Sequence, residues 1–249
     1  MKVGLIGFGK TGKAVASVIL QNTEFSLEWV LRKSTKLESR SVSEFLGTES
    51  EDPGHIFSLQ NITISELLDQ HPVDFIIDFS SDLGLYIYGQ EAKERGIKII
   101  SAISHYQEKE MVFLKSLSEQ TTVFWSPNIT LGVNFLMFAS KFLKKIAPFV
   151  DIAIIEEHFK TKEDVSGTAV KIADYLEINN DDISSIRAGG IVGKHEVIFG
   201  FPYQTVRLVH ESISREAFGN GAIFIAQNLT DKEPGFYKFE DILLPNFFS

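Results

Sequence analysis

Hydrophobic and polar positions follow two rhythms along this chain, and the switches between them mark its elements. Residues 2–6 (KVGLI) form a short apolar run rich in β-branched side chains, the pattern of a buried strand. A glycine turn, GFGKTG at 7–12, leads into KAVASVILQN, whose apolar residues recur at helical spacing. FSLEWVL at 25–31 predicts a second strand. Further along, 73–80 (VDFIIDFS) reads as a buried strand, 84–96 as a helix, 97–103 as a strand, 106–120 as a helix and 121–125 (TTVFW) as a strand. Strands alternating with helices at this spacing imply an α/β fold, a doubly wound parallel sheet of Rossmann type with right-handed crossovers.

The pattern changes near Asn128. An amphipathic helix after Gly132, the strand DIAIIEEH at 151–158, the helix TAVKIADYL at 168–176 and strand-like runs within 184–200 and 204–213 predict a second, α+β domain with a mixed sheet. Residues 215–235 read as a helix interrupted by glycine, with an apolar face that suits a return to the first domain. The expected organisation is a dinucleotide-binding domain from residues 1–129 and 216–249, and a substrate-binding and oligomerisation domain from 130–215.

Composition narrows the function. The chain has 249 residues, 44% of them hydrophobic, enough for a real core. A net charge of -9 argues against a general nucleic-acid binder, which needs clustered Lys and Arg. With no cysteine there is no disulfide framework, no thiolate nucleophile and no Cys-ligated metal. The scattered Asp and Glu offer no ligand spacing either, so no metal is expected. The amino-terminal apolar run is too short and glycine-broken for a signal peptide or a membrane span, and a soluble cytoplasmic protein is expected.

Gly7, Gly9 and Gly12, with Phe8, Lys10 and Thr11 between them, match G-x-G-x-x-G directly after a strand and at the opening of a helix. In that context the first glycine permits the turn, the second lets backbone approach a pyrophosphate and the third allows close packing. The same turn could also need glycine for sterics alone. At the end of the second strand stand Arg32 and Lys33, where Arg accommodates a 2′-phosphate; this favours NADPH, with NADH as the second candidate, against the alternative of a solvated surface pair. Glu28 lies too far back in the strand to bind the ribose.

A loop with a histidine, two lysines and a Ser-Gly-Thr turn, EEHFKTKEDVSGTA at 156–169, joins the strand at 151–158 to a helix. His158 can serve as an acid, Lys162 adds a point charge, and Ser166, Gly167 and Thr168 open a helix whose amides accept an anion, a set suited to a small dicarboxylate. The alternative is a plain N-cap at Ser166 or Thr168 with solvated lysines. His195 and His210 fall in strand-like runs and read as packed or hydrogen-bonded histidines rather than catalytic ones; His55 and His71 read as loop residues.

The two motifs together resemble the dihydrodipicolinate reductase family. Its signature E-x-H-H-x-x-K-x-D-A-P-S-G-T-A is matched by Glu156, His158, Lys162, Asp164, Ser166, Gly167, Thr168 and Ala169. Further matches lie in SPNITLGVN (Asn128, Gly132, Val133, Asn134), in IRAGGIVGKHEVIFG (Arg187, Gly189, Gly193, His195) and in HESISREAFGNGA (His210, Ser214, Arg215, Phe218, Gly221, Ala222). The resemblance implies an NAD(P)H-dependent reductase of the diaminopimelate and lysine pathway, with His158 as general acid, Lys162 as catalytic lysine and Ser166, Gly167 and Thr168 holding a substrate carboxylate. It also implies that Asp78, Phe79 and Ser80 line the cofactor cleft, that Ala102 and Asn128 contribute to it, and that the protein is a homotetramer. Three departures stand out: Phe159 replaces the second histidine, Val165 alone replaces Ala-Pro, and Ser101 to Ser104 (SAIS) replaces Gly-Thr-Thr-Gly beside the nicotinamide. They leave open a related two-domain dehydrogenase acting on another amino or keto acid, or a catalytically silent NADP(H)-sensing protein.

Overall fold

The computed structural model describes residues 1–245. Its elements begin β1 (Lys2–Ile6), α1 (Lys10–Leu20), β2 (Ser26–Arg32), α2 (Val42–Leu46), β3 (His55–Ser58), α3 (Ile64–Gln70) and β4 (Phe75–Asp78). They continue α4 (Leu85–Arg95), β5 (Lys98–Ser101), α5 (Glu108–Leu117), β6 (Thr122–Trp125), α6 (Leu131–Ile146), β7 (Asp151–His158) and α7 (Gly167–Leu176). Last come β8 (Ile183–Arg187), β9 (Gly193–Phe201), β10 (Gln204–Ser212), α8 (Glu216–Leu229), β11 (Gly235–Tyr237) and α9 (Phe239–Leu243). The chain forms two compact units, one from Met1–Ile129 plus the segment from Phe218 onward, the other Thr130–Ala217.

The first unit is built on a seven-stranded sheet in the order β11-β6-β5-β4-β1-β2-β3, with every pairing parallel. This is the expected doubly wound α/β sheet. Parallel strands are covered on both faces, and β1 and β4 accordingly bury almost every side chain. The strand order reverses between β1 and β4, and in such sheets ligands bind beyond the carboxyl ends of the strands at that reversal. Two segments singled out from the sequence, 7–12 and 78–80, leave the sheet there.

Several elements differ from the expectation. His55 opens β3 rather than lying in a loop, whereas His71 caps the end of α3. The α3 helix starts at a capping box, in which Thr63 Oγ1 accepts from the Glu66 amide and Glu66 accepts from the Thr63 amide. The helix expected over 215–235 stops at Leu229 without a glycine break, and the chain then adds β11 to the sheet edge. Gly219 and Gly221 are buried within α8, and a Cβ at Gly219 would lie 2.7 Å from Val18 Cβ, so close helix packing, not a break, explains that glycine.

The second unit is an α+β layer with a mixed sheet ordered β10-β9-β7-β8, in which β7 and β8 are parallel and the other pairings antiparallel. Val133 and Leu136 of α6 and Ala169, Ile172, Ala173 and Leu176 of α7 pack on Ile154, Val197 and Phe199 of the sheet. Along β7 the alternating burial of Ile154, Glu156 and His158 sets a carboxylate and an imidazole on the same face as that core. Among the described residues no helix is long and apolar enough to cross a membrane.

Candidate active site

In the first unit the turn after β1 is shaped by backbone. Gly7 has φ +95°, a left-handed conformation that favours glycine, and its amide donates to Leu31 O at 2.9 Å. A Cβ at Gly12 would lie 2.1 Å from Gly7 O, so that glycine is required by the fold itself. Gly9 is different. It caps α1, and a Cβ there would meet no atom within 4 Å. With no acidic residue in the first turn of α1, this open start suits the diphosphate of a dinucleotide, which the helix amides and dipole would hold. Phe8 is buried against Phe45, so only its backbone is available to a ligand, while Lys10 is exposed and Thr11 half-buried.

Arg32 ends β2, and its Nη1 donates to Lys36 O at 2.7 Å; Lys33 is exposed. Across the strand reversal, the Phe79 amide bonds Ile6 O at 2.9 Å, and Ser80 donates through its amide and hydroxyl to Asp78 Oδ1 at 2.8 and 2.6 Å. Tyr88 also donates to Asp78, at 3.0 Å, yet burial dominates and pushes the Asp78 carboxyl up to about 6. Ala102 is tied to this carboxylate's own residue, its amide donating to Asp78 O at 3.0 Å. The departing segment Ser101 to Ser104 is anchored by side chains beyond it: Ser101 Oγ pairs with Tyr106 OH at 2.8 Å, and Trp125 Nε1 donates to Ile103 O at 3.0 Å. Asn128 is half-buried, and its carbonyl accepts from Ser126 Oγ at 2.6 Å.

In the second unit, β7 delivers Glu156 and His158, and the chain crosses the loop 159–166 to α7. Glu156 is 0% exposed, and His158 Nδ1 lies 2.5 Å from its Oε2. Burial favours the neutral carboxyl, but hydrogen bonds from Arg187, Ser185, His158 and the Ser166 amide outweigh it and hold Glu156 at about 2. An ionised carboxylate only accepts, so Nδ1 of His158 carries the hydrogen and Nε2 is the position open to proton exchange. Gly193 leaves that atom clear, since a Cβ there would lie 2.9 Å from Nε2.

Ser166 is the N-cap of α7; its Oγ accepts from the Ala169 amide at 3.5 Å and pairs with His195 Nε2 at 2.9 Å. Of the two caps considered, Ser166 takes the part and Thr168 lies inside the first turn. A Cβ at Gly167 would meet nothing within 4 Å, so this helix start is open as well, and it carries no acidic residue. The ammonium of half-buried Lys162 has no hydrogen-bond or ion-pair partner among the described residues, whereas Phe159 and Val165 are exposed. His158, Lys162 and the Ser166–Thr168 turn therefore belong to one continuous segment of chain. Among the described residues no group of three or more His, Cys, Asp or Glu could hold a metal ion.

His195 and His210 extend this face along β9 and β10, their rings stacked at 6.3 Å. Burial lowers His195 to about 4, reinforced by His158 and His210, and burial lowers His210 as well. The signs give a pH prediction. His195 (usually 6.5) and Glu156 (usually 4.5) both have lowered values, so the second unit is fully stabilised above pH 6.5 and loses ~3 kcal/mol from each as acid carries His195 through about 4 and Glu156 through about 2. Asp78 in the first unit has the opposite sign, so its strain is relieved as pH falls through about 6. Both tryptophans, Trp29 and Trp125, lie in the first unit. Acid titration is therefore expected to reduce far-UV circular dichroism before tryptophan fluorescence changes, and coincident transitions would contradict it.

Sequence reading passed over the partners of His158. Glu156 and Arg187 carried no assigned role, although the spacing E-x-H on a strand was enough to set Glu156 on the same face as His158.

Comparison with known proteins agrees along residues 1–243. The family model described as "Dihydrodipicolinate reductase, N-terminus" matches residues 1–129, and that described as "Dihydrodipicolinate reductase, C-terminus" matches 129–243. The 4-hydroxy-tetrahydrodipicolinate reductase of Caldanaerobacter subterraneus subsp. tengcongensis is 30% identical over 94% of each chain, and that of Bdellovibrio bacteriovorus is 28% identical over 98% of this chain and 96% of its own. A dipicolinate-bound dihydrodipicolinate reductase from Paenisporosarcina sp. TG-14 shares the fold at a TM-score of 0.77, with 19% identity, covering 96% of this chain and 97% of that one. Matches that run through both units, and through the glycine turn and the loop at 156–169 alike, leave one conclusion: the chain belongs to the dihydrodipicolinate reductase family.

Proposed function

We propose that this oxidoreductase reduces dihydrodipicolinate, or its hydrated form 4-hydroxy-tetrahydrodipicolinate, to tetrahydrodipicolinate on the route to diaminopimelate and lysine, with NADPH as preferred reductant. The observation that carries the reading is the loop from His158 to Thr168, which gathers an acid, a half-buried ammonium and an open helix start in one segment. The nicotinamide supplies the hydride when bound, and the remaining steps fall to the protein. The turn at Ser166, Gly167 and Thr168 receives one substrate carboxylate, and Lys162 holds the negative charge beside the reacting carbon. His158 delivers a proton from Nε2 to the electron-rich ring, its Nδ1 side being fixed on Glu156.

The test is oxidation of NADPH and NADH by purified protein while dihydrodipicolinate is generated in the cuvette by its synthase. Rapid oxidation dependent on the synthase supports the reading; none, with cofactor binding intact, rejects it. Arg32, with Lys33 beside it, is the proposed contact for the 2′-phosphate. Arg32→Ala is expected to weaken NADPH about 10- to 100-fold, the worth of a charge-assisted hydrogen bond, and to leave NADH unaffected. Equal losses for both cofactors would remove Arg32 from that role. Exposed apolar residues of the second unit, among them Phe149, Val209 and Ile213, favour it as the assembly surface of a homotetramer.

A further inference from the structure

The carboxylate that aims His158 is itself held by one side chain. Arg187, at the end of β8, donates from Nη1 to Glu156 Oε2 at 2.9 Å and from Nη2 to Oε1 at 2.5 Å, a bidentate pair. The same guanidinium reaches into the loop after His158: Nε donates to Lys162 O at 3.0 Å and Nη2 to Asp164 O at 3.0 Å. Its last N–H goes to Ile186 O at 2.9 Å, so every donor of the group is used. The parallel register that sets His158 opposite Arg187 and Glu156 opposite Ser185 makes this reach inevitable. Ser185 Oγ adds a bond to Glu156 Oε1 at 2.6 Å.

We infer that Arg187 is a positioning residue for the reduction, locking the carboxylate that orients His158 and the backbone that carries Lys162 into one geometry. The inference rests on the roles given above to His158 and Lys162. It assigns a purpose to a loop that lacks the family's Ala-Pro: with Val165 alone ahead of the helix cap, rigidity comes from outside the loop, through two carbonyls bonded to a side chain of the next strand. Lysine could keep the charge but not the fork, because an ammonium cannot serve two carboxylate oxygens and two carbonyls in one plane.

Arg187→Lys and Arg187→Ala are compared with the unaltered protein. Arg187→Lys is expected to lower kcat about 10- to 100-fold, the cost of a misplacement on the scale of an ångström, with NADPH affinity unchanged. In Arg187→Ala, millimolar guanidinium chloride is expected to restore part of kcat by occupying the vacated position, which a merely structural loss would not show. An independent signature is the Nδ1–H proton resonance of His158, shifted far downfield by its short bond to Glu156 and expected to be lost in Arg187→Lys. Undiminished kcat in Arg187→Lys, failure of guanidinium to raise the activity of a folded Arg187→Ala, or an unaltered His158 resonance would each overturn the inference. Should the unaltered protein fail to reduce dihydrodipicolinate, the proposed reaction falls separately, and the His158 resonance alone decides the role of Arg187.

Discussion

Replacing His158 by alanine is expected to lower kcat about 10²- to 10⁴-fold, the usual contribution of a positioned general acid, and to leave NADPH affinity unchanged. The reasoning follows the proton. Glu156 is buried, ionised and bonded to Nδ1, which leaves Nε2 as the only ring atom of His158 able to give a proton away. The neighbouring His195 does not serve in its place: it is held at about 4 by burial and its neighbouring rings, hence neutral at physiological pH, and its Nε2 is already engaged with Ser166 Oγ. Lys162→Ala is expected to cost about 10²- to 10³-fold, as for loss of one charge-stabilising donor, and to raise KM for the dicarboxylate as well. Because the two groups act on one substrate, the double variant should lose less than the product of the single losses. Steady-state rates with cofactor binding followed by fluorescence would check this, and full activity in the His158 variant would end its assignment as the acid.

How much of this was legible beforehand depends on whether the signal was local. β1, the glycine turn and α1 are contiguous and each obeys one period, so the doubly wound sheet followed from them and from the strands that alternate behind them. α2, β3 and β11 span only five, four and three residues, too few for a period to establish itself. β11 exists because β6 offers it an edge, a fact of tertiary pairing. The site divides the same way. His158, Lys162 and Ser166 stand in one segment and were readable together. The partnership of Glu156 with Arg187 spans 31 positions and depends on the parallel register of β7 with β8, which no local pattern encodes. His195 looked like an ordinary packed histidine because burial, the property that defines it here, is also what ordinary packing produces.

Gly9→Val should abolish useful cofactor binding without harming the fold, and Gly12→Ala should do the reverse of the second half. At Gly9 the backbone has φ -79° and ψ -161°, an extended conformation open to any residue, and a Cβ would meet nothing within 4 Å. Beyond glycine's ordinary preference at an N-cap, no contact among the described residues calls for glycine at this position, which suits a ligand that approaches it closely. A branched side chain there would stand where the diphosphate comes down on the start of α1, and overlap worth ~3 kcal/mol corresponds to about a 100-fold loss of affinity. At Gly12 the Cβ would lie 2.1 Å from Gly7 O, a clash with backbone that cannot rotate away, and Gly12→Ala is expected to lower stability by about 1–3 kcal/mol or more. Thermal melting and NADPH titration of both variants separate the cases. A Gly9→Val protein that melts normally and still binds NADPH with unaltered affinity would mean that the glycine turn holds no diphosphate, and that the cofactor, if any, sits elsewhere on the sheet.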